Sequence, residues 1–475
     1  MVFSSFTFIA FFLPITIILY FIRKDKVWRN CVLLVMSLLF YAWGEPKFVL
    51  MMILSIIVNY MAGLMMARSE RRKQKGLKLL FMILGVGISV GFLFWFKYFA
   101  FLGNTFINLF HISAKSIPAQ ILPIGISFYT FQIITYTVDV YMGRVPVQTS
   151  ILKLALYISF FPQLIAGPIV NYTYIEPYLD ERTIRIEDFF AGLFRFIIGL
   201  SKKVLIANLC GEILSTLTLD KNISVLAAWL GAISYTFQIY FDFSGYSDMA
   251  IGMGKMFGFK FLENFNYPYI STSITDFWRR WHISLSTFFR DYVYIPLGGN
   301  RCSTARQILN IFIVWMLTGF WHGASWNFIV WGLYYGVLLI IEKMFLGKLL
   351  KKLPKIVQWL YTILIVIIGW VFFYHEALAD GARQVGAMFG IGAAGGADAT
   401  AVYCLKQYFL LLLIAAAASV PWWKVIAKLT KKKEFQLPKN TFFTIEQFVV
   451  ATCLLVLCIL FLASSSFNPF LYFRF

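Results

Sequence analysis

Runs of about 20 apolar residues recur along the whole of this 475-residue chain, and no stretch between them is long enough to form a soluble domain. Hydrocarbon offers no hydrogen bonds, so a lipid-facing segment must satisfy its own backbone N–H and C=O groups, and a helix does this within one segment. The expected fold is therefore an all-α polytopic membrane protein. Composition agrees. The chain is 60% hydrophobic, 19% aromatic and 13% charged, where a soluble domain carries about a quarter charged residues. The first apolar run, 2–22, has no small-residue cleavage site and is expected to remain as the first span.

A formal net charge of +20 invites a nucleic-acid reading. The basic residues instead gather in short loops beside apolar runs: "RKDKVWR" (23–29), "RSERRKQKGLK" (68–78), "KMFLGKLLKKLPK" (343–355) and "KVIAKLTKKKEFQLPK" (424–439). That pattern is the positive-inside signature, together with attraction to anionic lipid, so no nucleic-acid partner is expected. Placing each loop in the cytoplasm puts both termini outside and makes the number of crossings even, about a dozen. On this topology 358–374 runs outward, 376–400 is an outer loop and 404–420 runs inward. The region 145–278 is less regular, and "IAGP" (165–168) and "SGYSDMAIGMGKMFG" (244–258) suggest broken or re-entrant helices. The pentapeptide "YTFQI" occurs at 129–133 and 235–239, placing a Gln in an apolar run each time. Six scattered cysteines and four dispersed histidines point to packing, with no metal site expected.

Polar groups inside a membrane are costly, and each is a functional candidate. They are Gln132, Asp139, Gln163, Gln238, Asp242, Asp248, His282, Asp291, Asn300, His322 and Asn327. His322, in "TGFWHGASW" (318–326), lies roughly 24 Å beyond Arg306 if the intervening run is helical, near the outer side. A neutral imidazole there can take and return a proton, or it can be a buried histidine bonded to a helix carbonyl. His282, among the arginines of "FWRRWHISLS", sits at the cytoplasmic end of the same hairpin. It is a second acid-base group, a donor to a carbonyl, or an interfacial histidine. Arg279, Arg280 and Arg290 can hold a phosphorylated donor or act as inside-loop anchors. Asp291 is expected to pair with Arg290, and His111 and His375 are loop residues. "GMGK" (252–255) lacks the spacing of a P-loop.

"DFWRRWHISLSTFFRDYVYIPLGGNR" (276–301) and "LTGFWHGASWNFIVWG" (317–332) resemble the two signature blocks of the membrane-bound O-acyltransferase (MBOAT) family. "YFDFSGYSDMAIG" (240–252) and "FPQLIAGPI" (161–169) resemble its bacterial polysaccharide O-acetylation branch. The resemblance implies a ring of about a dozen tilted and re-entrant helices around a central tunnel, spanning 1–464. It implies that His322 is the catalytic histidine and His282 the second signature position. Trp281, Trp321 and Asn300 would line the tunnel, and Arg279 and Arg280 the donor mouth.

The implied activity moves an acetyl group across a bacterial cytoplasmic membrane. The donor is a thioester, acetyl-CoA or an acyl group on a carrier protein, and no permanently bound cofactor is expected. The C-terminal segment 465–475 ends "FNPFLYFRF". Its Phe470, Tyr472 and Phe475 resemble the acyl-accepting tail of a small partner in teichoic acid D-alanylation. A phenol with a pKa of about 10 forms a more activated ester than a sugar hydroxyl. Eleven residues beyond Ser464 reach up to roughly 36 Å. The other reading of the tail is an aromatic-belt anchor. With no extracytoplasmic catalytic domain evident, a separate extracytoplasmic O-acetyltransferase is expected as partner, besides membrane lipids. Rival readings are D-alanyl transfer to teichoic acid and a non-enzymatic transporter.

Overall fold

The computed structural model describes residues 1–165, 167–217, 223–422, 445–464 and 471. The tail residues Phe470, Tyr472 and Phe475, and the basic loop at 424–439, lie outside the described residues.

Every regular element among the described residues is helical. The N-terminal third holds α1 (Leu13–Ile22), α2 (Lys26–Gly44), α3 (Phe48–Arg71), α4 (Lys75–Leu93), α5 (Phe99–Leu109) and α6 (Ile126–Tyr141). Short pieces follow: α7 (Ile151–Ser159), α8 (Phe161–Leu164) and α9 (Tyr172–Asp180). Then come α10 (Ile186–Ser201), α11 (Asn208–Thr216) and the long α12 (Val225–Met256). The signature region gives α13 (Ile274–Arg280), α14 (Ile283–Phe289), α15 (Thr304–His322) and α16 (Trp326–Ile341). The chain closes with α17 (Gly347–Leu350), α18 (Lys355–Tyr374), α19 (Leu378–Met388), α20 (Ala399–Ala418) and α21 (Ile445–Ser464). Among the described residues, seven helical segments are long and apolar enough to cross a membrane, and the protein is an all-α polytopic membrane protein.

Two compact units divide the chain: 1–196 with 246–262, and 197–245 with 263–475. In the first, α6 is buried on almost every side, Gln132 and Asp139 included, and Asp139 pairs with Arg144 at 3.0 Å. Asp248 on α12 pairs with Arg195 on α10 at 2.8 Å. In the second unit, α15 and α16 form a tight hairpin. A Cβ on Gly319 would lie 2.4 Å from the Phe328 carbonyl oxygen, and one on Gly332 would lie 2.4 Å from that of Trp315. Small residues let the two backbones approach, which is how helices associate where lipid removes the hydrophobic drive.

Three sequence expectations change. The first run is shorter than predicted: Phe8–Ile22 is an apolar helix below the 18 residues of a full span, because a π-helical turn at Phe8–Phe12 and Pro14 follow a non-helical start. The stretch 376–400 is no simple loop, since α19 within it packs into a buried cluster with Ala228, Val371 and Ala401. The stretch 244–258 is not broken; it belongs to the 32-residue α12 up to Met256. Its glycines serve packing. A Cβ on Gly252 would lie 2.5 Å from the Gly192 carbonyl oxygen of α10. Ile165, Gly167 and Pro168 of "IAGP" do fall between α8 and α9, as expected.

Gly252→Ala should therefore force α10 and α12 apart and cost about 1–3 kcal/mol. Gly76→Ala, where an added Cβ meets nothing within 4 Å, should be neutral or stabilising. Thermal unfolding of the two variants in detergent checks this.

Candidate active site

A helix of seven residues can carry charged side chains at one end and reach inward with the other. α13 does so, and its N-terminus is held by an acid on another element. Glu342, buried at 5% exposure, accepts the Ile274 N–H at 2.7 Å, the Thr275 N–H at 2.9 Å and the Thr275 hydroxyl at 2.7 Å. A carboxylate suits this position because helix N-terminal N–H groups lack intrahelical partners. At the other end Trp281 turns extended, and His282 adopts φ 46° and ψ 55°. A left-handed backbone on a non-glycine residue costs of order 1–3 kcal/mol and survives only where its surroundings hold it.

Asn264 holds it. Its Oδ1 accepts the Ser284 N–H at 3.1 Å and the Ser284 hydroxyl at 2.9 Å, and lies 3.2 Å from His282 Nδ1. Its carbonyl accepts the Ile283 N–H at 3.0 Å. The Ser284 N–H can only donate, so the atom it meets is the amide oxygen. That contact is satisfied when Nδ1 carries the ring proton; Ser284 Oγ also lies 3.4 Å from Nδ1. In this tautomer Nε2 is the lone-pair nitrogen, and it meets no hydrogen-bond partner among the described residues. The ring is buried, at 1% exposure.

His322 ends α15, buried at 6% exposure. Its ring lies edge-on to Trp331 at 5.0 Å and Phe373 at 5.2 Å. Trp321 joins the two histidines: its ring is 5.7 Å from that of His282 and 4.9 Å from that of His322. This corrects the sequence reading, which put His282 at the cytoplasmic end of the hairpin and His322 near the far side. α15 does run unbroken through Arg306 to His322. The break after α13, however, brings His282 to the far end of that helix.

Two adjoining cavities lead to His282. The larger, 750 Å³, is lined by Arg279, Asn300, Lys343, Lys348 and Lys351. The smaller, 240 Å³, is mostly apolar and is lined by Arg279, His282, Phe289, Arg290, Trp315 and Thr318. Thr275, Arg279, Tyr294 and Trp315 line both. Asn300 accepts from Tyr294 Oη at 2.8 Å and Lys343 Nζ at 2.9 Å, which fixes it at the larger cavity. Arg280 is turned away into a pair with Asp276 at 2.9 Å. Arg290 pairs with Asp291 at 2.7 Å, as expected. Trp281, buried, stacks on Phe277 and lies against Trp370.

Of the other intramembrane candidates, Gln163 donates to the Tyr157 carbonyl at 2.5 Å. Asn327 accepts from Ser325 Oγ. Asp242 pairs with Lys203 at 2.6 Å. Sequence reasoning missed Asn264 and Glu342. Glu342 was legible only as a single acid closing an apolar run, and Asn264 only as an amide within the aromatic "NFNYPY".

Asn264→Leu keeps the volume and removes the acceptor that fixes the His282 tautomer. Donor turnover by the purified variant should fall about 10²-fold, the lower end of what a positioned acid-base group contributes. Glu342→Ala strands the two N–H groups of α13 and should cost about 1–3 kcal/mol in thermal unfolding.

Residues 143–375 match the model of the membrane-bound O-acyltransferase family. The chain is 43% identical over 396 residues to a probable alginate O-acetylase of Pseudomonas aeruginosa, covering 82% of this chain and 75% of that one. It is 38% identical over 432 residues to a peptidoglycan O-acetyltransferase of Helicobacter pylori, covering 82% and 80%. Likeness to the teichoic acid D-alanyltransferase of Bacillus subtilis is 33% over 275 residues, covering 52% and 66%. The chain is an enzyme of the membrane-bound O-acyltransferase family.

Proposed function

We propose that this enzyme moves an acetyl group from a cytoplasmic thioester through the bacterial cytoplasmic membrane for O-acetylation of an extracytoplasmic polysaccharide. The observation that carries the reading is the continuity from a basic cavity, through Arg279, to an apolar cavity ending at His282. A cationic mouth suits the phosphates of a donor such as acetyl-CoA, with Arg279 and the lysines of the larger cavity as its contacts. The narrow apolar cavity suits the uncharged thioester arm. His282 Nε2 then accepts an N–H or O–H of that arm and fixes where the acyl carbon stops.

His322 takes the proton of the acceptor hydroxyl. The oxygen attacks the acyl carbon, the C–S bond breaks, and the proton passes to the departing sulfur, giving an ester and a free thiol. Trp281 and Trp321 keep water from competing. The first acceptor is the Tyr472 phenol, framed in sequence by Phe470 and Phe475. Its aryl ester hands the acetyl group to a sugar hydroxyl and recovers its proton in that second transfer. An extracytoplasmic O-acetyltransferase completes delivery onto the polymer.

The coverage of the relatives supports acetyl over D-alanyl transfer: the two O-acetyltransferases match 82% of the chain, the D-alanyltransferase 52%. Membership of an acyltransferase family sets the transporter reading aside.

Purified enzyme incubated with a radiolabelled acetyl thioester should carry label on its C-terminal peptide. His322→Ala, still monodisperse, should lose that label at least 100-fold. Normal polysaccharide acetylation by Tyr472→Phe would remove the phenol from the route and leave direct transfer to the sugar.

A further inference from the structure

A buried charge pair is seldom a source of stability, because desolvating two ions costs about what their attraction returns. The Lys203–Asp242 pair is such a case. Its side chains are 3% and 2% exposed, and the ions lie 2.6 Å apart. The pair has a third member. The backbone N–H of Leu471, a residue of the C-terminal segment, donates to Asp242 Oδ2 at 2.9 Å in a buried contact.

Three local features build this point. Lys203 belongs to a π-helical stretch, Lys202–Ala207, that follows α10; such bulges reorient side chains and gather at functional positions. α12 comes unusually near that stretch, since a Cβ on Gly245 would lie 2.7 Å from the Gly199 carbonyl oxygen. The last helix packs on the same stretch, with Ser201 Oγ and Cys458 Sγ 3.6 Å apart. α21 is thus seated beside the stretch that carries Lys203.

The next residue along α12, Phe243, meets His282 edge-on at 4.6 Å. One turn before Asp242, on the same helix face, Gln238 is buried, and its Oε1 has no partner among the described residues. The contact of Leu471 with Asp242 is therefore made beside the wall of the His282 site, and a further acceptor waits one turn away.

We propose that the Lys203–Asp242 pair is a latch for the C-terminal segment. Asp242 is a positioning residue: it takes the Leu471 N–H and so presents the following residue, Tyr472, to the acyl site. Lys203, 2.6 Å away, holds the carboxylate in place from the other side. This rests on the relay reading for its purpose, though not for its geometry.

Leu471→Pro tests it, because proline removes that one N–H and leaves the buried pair intact. Leu471→Ala keeps the N–H and serves as the rescue. In the full-length enzyme, hydrogen exchange of the C-terminal peptide should accelerate at least tenfold in Leu471→Pro and stay slow in Leu471→Ala. The kcat for labelling Tyr472 should fall at least tenfold in the proline variant, with the donor KM unchanged. The double variant Lys203→Met/Asp242→Leu, apolar and volume-matched, should lose exchange protection in the same way. Unchanged exchange and unchanged tail labelling in Leu471→Pro would overturn the latch. The two readings fail separately. If Tyr472→Phe transfers acetyl normally while Leu471→Pro still frees the tail, the relay falls and the latch stands. If Tyr472→Phe is inactive and Leu471→Pro behaves as wild type, the latch falls and the relay stands.

Discussion

The site depends on one break in a buried backbone, the change of direction at Trp281 and His282. Inside a membrane protein an interrupted helix exposes N–H and C=O groups that water cannot reach, and each must find a partner. Here the partners are few and identifiable. Glu342 closes the start of α13, and Asn264 closes the start of α14 and the His282 ring together. The Asn266 N–H donates to the Arg280 carbonyl at 3.0 Å. Without these contacts the signature region would be more favourable as one continuous helix, and a straight helix would carry His282 away from Trp321.

The same break divides the labour of the arginines. Arg279 and Arg280 are neighbours in sequence, yet helical geometry separates adjacent residues by about 100°. One lines both cavities and the other is committed to Asp276. A basic pair that looked interchangeable is thus one ligand candidate and one structural ion. Its acids divide likewise: Asp276 answers Arg280, and Glu342 holds backbone N–H groups. Both acids line the larger cavity, but Arg279, Lys343, Lys348 and Lys351 outnumber them and leave the mouth cationic.

Much of the fold was legible because hydropathy and lipid constraint act locally. α21 ends at Ser464, where the sequence places the start of the tail, and the hairpin turn at His322 falls where its glycines and tryptophan place it. What failed had a shared cause: one residue type doing two jobs. Glycine reads as a breaker along the sequence, whereas Gly245 and Gly252 are contact surfaces in an unbroken helix. Arginines beside His282 read as an inside loop, whereas seven residues of helix carry that histidine to the end of α15. Asn264 was invisible because its role lies in a hydrogen-bond geometry 18 residues from His282, with no spacing to mark it.

Trp321 gives the arrangement its chemical sense. Both imidazoles meet its ring, so the two histidines are neighbours across one indole rather than across a bilayer. On the proposed reading, a group held by His282 and a proton taken by His322 would then be close together. The bulk of the donor would stay at the cavity of the lysines, and only an acyl group would have to pass. With both rings and the indole buried, water would have little access to that transfer. The acyl group would change partner within one dry pocket, so no large carrier would need to move.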